Sequence, residues 1–122
     1  MAAMLLQTLP APNLERWVHV GSTSQGDSAI DPQSITRTGD LATVVVRTSI
    51  HRSQTTGGPV VGVMRYAFNC RTRRGRLEVA DLYRGDGTFV GSTVNEDPEE
   101  PVARRSPDGE ALELACRPSG QR

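Results

Sequence analysis

The chain has 122 residues, enough for one domain around one core, and its apolar fraction of 36% builds that core without supplying a membrane span. Basic and acidic side chains number 14 each, so the formal net charge is zero and no global field draws the protein toward nucleic acid or an anionic membrane. Aromatic residues are only 4%, too few for a base-stacking platform, and all 14 basic side chains are arginine, so any anion contact is made by a planar, bidentate guanidinium.

Residues 1–13 read as a flexible lead or the remnant of an export signal; they are mildly apolar, lack a basic n-region and end in Leu9-Pro-Ala-Pro-Asn13. A first strand is expected over Glu15-Arg-Trp-Val-His-Val20, followed by a Ser/Thr/Gly turn from Gly21 to Asp27 and a short partner from Ser28 to Asp31. Asp31-Pro32 with Ser34 reads as a turn or a single helical turn, and Thr38-Gly-Asp40 as a tight turn. Leu41 to Ile50 is β-branched almost throughout and predicts the clearest strand. A polar loop from His51 to Pro59 leads to a strand over Val60 to Cys70, where apolar residues alternate and Arg65 marks the wetter face.

After a turn at Arg71 to Gly75, a strand is expected from Arg76 to Arg84. Arg84-Gly-Asp-Gly87 makes a hairpin turn, because Asp-Gly supplies the positive φ that short loops require, and Thr88 to Val94 pairs back. Asn95 to Pro101 is acidic and carries Pro98 and Pro101, so it predicts a solvated connector with no strand in it. Ser106-Pro107-Asp108 supplies a cap, a proline at the first helical position and an acid at the positive end of the helix dipole, which predicts a short helix through Cys116. Ala111, Leu112, Ala115 and Cys116 form its apolar stripe.

Cys70 ends a strand-like run and Cys116 ends the helix, and there is no third cysteine. The pair reads as a disulfide staple between sheet and helix, which places the protein in an oxidising, extracytoplasmic compartment; the other reading is two buried, reduced thiols in a cytoplasmic protein. The fold expected is α+β, an antiparallel sheet of about six strands with the C-terminal helix packed on one face.

The order and spacing of Trp17-Val-His-Val-Gly21, Ile30-Asp31 with Ser34-Ile35, Tyr66-Ala-Phe-Asn-Cys70, Asp86-Gly87 and Cys116 resemble the surface-adhesin protein E family over residues 15–116. That resemblance implies the same sheet and disulfide-fastened helix, export to the cell envelope and, in some members, binding of host matrix proteins. It makes 14–117 a single adhesin-E-like domain and 118–122 a frayed tail. No position here matches a binding residue of the family, and no lipidated cysteine follows an export signal.

Arg71, Arg73, Arg74 and Arg76 crowd the turn after Cys70 and suit a sulfated glycan, phosphate, carboxylate or lipopolysaccharide. The alternative is a solvated turn balanced by Glu78 and by Glu96, Asp97, Glu99 and Glu100. Arg84, Gly85 and Asp86 spell an integrin-type tripeptide at a hairpin tip, although turn chemistry already accounts for Asp86-Gly87. His19 and His51 have no nucleophile at a telling spacing, and no set of His, Cys and acids has metal-ligand spacing, so neither catalysis, metal nor cofactor is expected. The function expected is a non-catalytic extracytoplasmic binding module for a protein or anionic glycan. The alternative is a periplasmic accessory or inhibitor protein that docks another envelope protein through a sheet edge. An open sheet also leaves room for a homodimer.

Overall fold

The structure, a computed structural model, describes residues 17–24, 26–50 and 60–118. The lead at 1–13, the loop from His51 to Pro59 and most of the tail therefore lie outside the described residues. Strands β1 (Val18–Thr23), β2 (Gly26–Thr38), β3 (Leu41–Ile50), β4 (Val60–Asn69), β5 (Arg74–Arg84) and β6 (Phe89–Val94) form one antiparallel sheet in chain order. A two-residue strand β7 (Glu100–Pro101) adds to the free end of β5, and helix α1 (Pro107–Cys116) follows.

β3 and β4 run in unbroken register from Leu41 opposite Asn69 to Ile50 opposite Val60, and this central pair sets the two faces. One face carries Ala42, Val44 and Val46 from β3, Phe68 from β4 and Ile30 from β2. The helix lays Ala111, Leu112 and Ala115 on them, with Val20 closing the β1 side. Val44, Ile30, Phe68 and Leu112 are almost wholly buried, so the helix is held chiefly by apolar burial over β1 to β3. The opposite face buries Ala29, Val45 and Val63 together with Asp31 and Asp81. Ser92 on β6 donates its hydroxyl proton to Asp81, so that carboxylate is paired across the strands.

Several expectations are corrected. The expected turn at Gly21 to Asp27 is shorter, since β1 runs through Thr23 and β2 starts at Gly26, and β5 starts at Arg74, within the expected turn at Arg71 to Gly75. Asp31-Pro32-Gln-Ser34 is no turn: β2 continues through it to Thr38, with a register shift between Asp31 and Thr36. Pro32 has no N–H to offer the ladder, and a bulge is where that lack is tolerated. Ser34 repairs the ladder, its hydroxyl donating to the Asp31 carbonyl at 2.6 Å and accepting the Val45 N–H at 2.8 Å. Asn95 to Pro101 is also not wholly a connector, because Glu100 pairs with Gly75 and Pro101 with Arg74. At that outer edge the missing N–H of Pro101 costs no ladder bond.

Ser106 caps α1 by accepting the Gly109 N–H at 3.0 Å, with Pro107 at the start and Asp108 and Glu110 in the first turn. The last turn has no cation of its own; instead Arg37 of β2 donates to the Cys116 carbonyl at 2.9 Å. Cys70 and Cys116 form a disulfide with Cα atoms 5.6 Å apart, as the staple reading requires.

Candidate functional site

The arginine-rich turn begins where β4 stops. Asn69 turns the chain by taking the Arg71 and Thr72 N–H groups on its side-chain oxygen and the Arg73 N–H on its carbonyl. The Cys70 N–H reaches the Asp40 carbonyl at 2.7 Å, and Arg73 takes a left-handed conformation at φ 59° to bring the chain into β5. The turn is thus fixed by its own backbone bonds and by the disulfide at its first residue.

Its four arginines do not converge. Arg71 pairs with Asp40 of the β2–β3 turn at 3.2 Å and stays 72% exposed. Arg73 runs to Glu113 of α1 at 2.7 Å and is 27% exposed. Arg74 pairs with Glu99 at 3.6 Å and also donates to the Glu99 carbonyl at 3.0 Å. Arg76 is drawn into the connector, where one terminal nitrogen approaches the Asn95 carbonyl at 3.5 Å and Nε is buried with no hydrogen-bond partner. Glu78, a suggested counter-ion for the turn, serves Arg65 on the neighbouring strand at 2.9 Å.

Arg84, Gly85 and Asp86 lie exposed at the β5–β6 hairpin tip. The tip closes through Arg84 N–H to the Thr88 carbonyl and Gly87 N–H to the Arg84 carbonyl, with Gly87 at φ 92°. Hydrogen bonds from the Thr88 hydroxyl and N–H hold the Asp86 carboxyl below the usual carboxylate range. The turn itself therefore uses that carboxylate. Beyond the tip, β6 is a sheet edge with Phe89, Val90 and Val94 exposed. His19 shares a 3.1 Å hydrogen bond with Ser22, and His51 lies outside the described residues.

A cavity of about 440 Å³ opens on the helix side of the sheet, between β4, β5, the connector and the start of α1. Tyr66 lines it, stacked at 5.9 Å on the buried ring of Phe68. Burial, and secondarily the Asp108 carboxylate, push the Tyr66 phenol up to about 12, and burial raises Asp108 as well. Sequence reasoning missed this site because its lining comes from four separate segments and carries no spacing of its own. Among the described residues no group of three His, Cys, Asp or Glu could hold a metal ion, and no helix is long and apolar enough to cross a membrane.

No curated protein and no solved structure gives a significant match to the chain. Residues 17–117 match the family described as surface-adhesin protein E, which takes in every described strand, the arginine-rich turn, the disulfide and the helix. The chain therefore belongs to the surface-adhesin protein E family, which supports a surface adhesin-like role at the level of the family.

Proposed function

We propose that this protein is a non-catalytic extracytoplasmic binding module that holds an anionic glycan, or an acidic patch of a matrix protein, through Arg71 and Arg74 of the stapled turn. The observation that carries this reading is the combination of a rigid backbone with replaceable ion pairs. Exposed pairs such as Arg71 with Asp40 contribute about 0–1 kcal/mol each, so a polyanion exchanges for Asp40 and Glu99 at little cost. Arg73 plays a structural part, since Glu113 ties it to the helix. Binding of the oxidised protein to immobilised heparin and matrix proteins tests the reading. Retention should fall steeply with salt and be lost in Arg71→Ala/Arg74→Ala, whereas unchanged binding by that variant removes the turn as the site.

The exposed apolar edge of β6 supports a second reading, docking of another envelope protein by strand addition. Such binding responds little to salt and is blocked by a proline or lysine in β6, so one salt titration separates the two readings.

A further inference from the structure

Two sets of acids in this protein differ in their partners. Asp40, Glu78, Glu99 and Glu113 each hold an arginine. Asp97, Glu100 and Asp108, which line the cavity over Tyr66, form no ion pair among the described residues. The one cation in the lining is Arg76, whose hydrogen bond goes to the Asn95 backbone carbonyl rather than to any of these carboxylates. Three carboxylates against one guanidinium give the lining a formal charge of −2 in a chain whose formal net charge is zero.

The same lining includes Tyr66 and the apolar residues Leu77, Pro98 and Val102. An aromatic ring attracts a cation through its quadrupole, and a guanidinium can stack on the ring while its N–H groups bridge a carboxylate. We propose that the cavity is a binding site for a guanidinium carried on a short apolar stem, either as a free small molecule or as an arginine side chain presented by a partner protein. Asp108 and Glu100 take the head group, Tyr66 lies against it, and the stem lies along Leu77 and Val102. This site is independent of the arginine turn, and neither assignment depends on the other.

The test is titration of the oxidised full chain with agmatine and with an acetylated Gly-Arg-Gly amide, followed by amide chemical shifts and calorimetry. Saturable binding is expected, with a dissociation constant on the order of 1 mM for so small a ligand. Shifts should centre on Tyr66, Leu77 and Val102. A tighter peptide identifies a presented side chain, and a tighter agmatine a free ligand. Glu100→Gln/Asp108→Asn should weaken binding about tenfold or more, by loss of charge-assisted hydrogen bonds. Asp97→Asn, an exposed connector change that leaves α1 untouched, should weaken it less, and Arg71→Ala not at all. Thermal midpoints confirm that each variant is folded. Absence of saturation up to about 20 mM, shifts elsewhere, equal affinity in the carboxylate variants, or preference for acetate over agmatine would overturn the assignment.

Discussion

Removing the disulfide isolates what the staple contributes, because the contacts it joins remain in place without it. Ala111, Leu112 and Ala115 are buried against β1 to β3 by apolar contacts of their own, so the reduced native state is expected to keep its packing. The change falls on the unfolded chain, which regains the freedom of a loop with a sequence separation of 46. In the chain-entropy treatment a loop of that length corresponds to about 4 kcal/mol at room temperature. Domains of this size have roughly 5–15 kcal/mol in all, so reduction removes a large share of the stability. With about 4 °C of midpoint per kcal/mol, the melting temperature should fall by about 16 °C. The assay compares oxidised protein, protein held in excess reductant, and Cys70→Ala/Cys116→Ala, by circular dichroism in heat and in urea. The denaturant slope should also rise on reduction, since a released unfolded chain exposes more surface. Midpoints within about 3 °C of one another would refute the reasoning, and would mean that the unfolded chain is already confined or that the native helix strains against the bond.

The other expectations concern single groups. In an alkaline absorbance titration both tyrosines should ionise above 10, Tyr66 only near 12 and Tyr83 earlier; joint ionisation at 10 contradicts the buried placement of Tyr66. Unfolded tyrosine loses its proton first, so stability should be intact below pH 10, fall as pH rises and level off above about 12, a change of about 3 kcal/mol from Tyr66. Gly109→Ala drives a Cβ into the Ala103 and Arg104 carbonyls and should cost about 1–3 kcal/mol, whereas Gly91→Ala meets nothing and should be neutral or mildly stabilising in urea melts. Leu112→Ala should cost about 2–5 kcal/mol, while Phe89→Ala at the exposed edge, which loses its edge-to-face contact with Tyr83 at 5.6 Å, should cost about 0.5–1.5 kcal/mol; equal losses would mean that the helix face is not the core.

Local chemistry was legible wherever local residues decide the outcome. β3 follows from its β-branched run, the helix start from Ser106-Pro107, and the hairpin tip from Asp86-Gly87. The errors lie where a distant partner overrides a local signal. Asp31-Pro32 has strong turn chemistry, yet the Val45 N–H finds the Ser34 hydroxyl across the gap and the strand carries on. Pro101 forbids a strand interior but not an outer edge, and only the free end of β5 makes that edge available. The arginine turn follows the same pattern. Its charge density is plain in the sequence, but Asp40 is 31 residues before Arg71 and Glu99 is 25 after Arg74, so nothing local shows which arginines are engaged.

Those pairings decide how the turn can work as a contact surface. Arg71 ties it to the β2–β3 turn, Arg73 to the helix and Arg74 to the connector, so three separate segments meet at a few residues beside one disulfide. If these ion pairs alone held the turn, a polyanion that displaced Asp40 and Glu99 would loosen it and lose affinity to the cost of reordering. The backbone does not depend on them. Asn69 takes three N–H groups of the turn, Asp40 takes that of Cys70 through its carbonyl, and the disulfide fixes the start. Arg71 and Arg74 can therefore change partners while their Cα atoms stay in place. On the proposed reading, what an incoming anion must overcome is two weak surface pairs, and what it gains is two guanidiniums on a backbone that is already ordered.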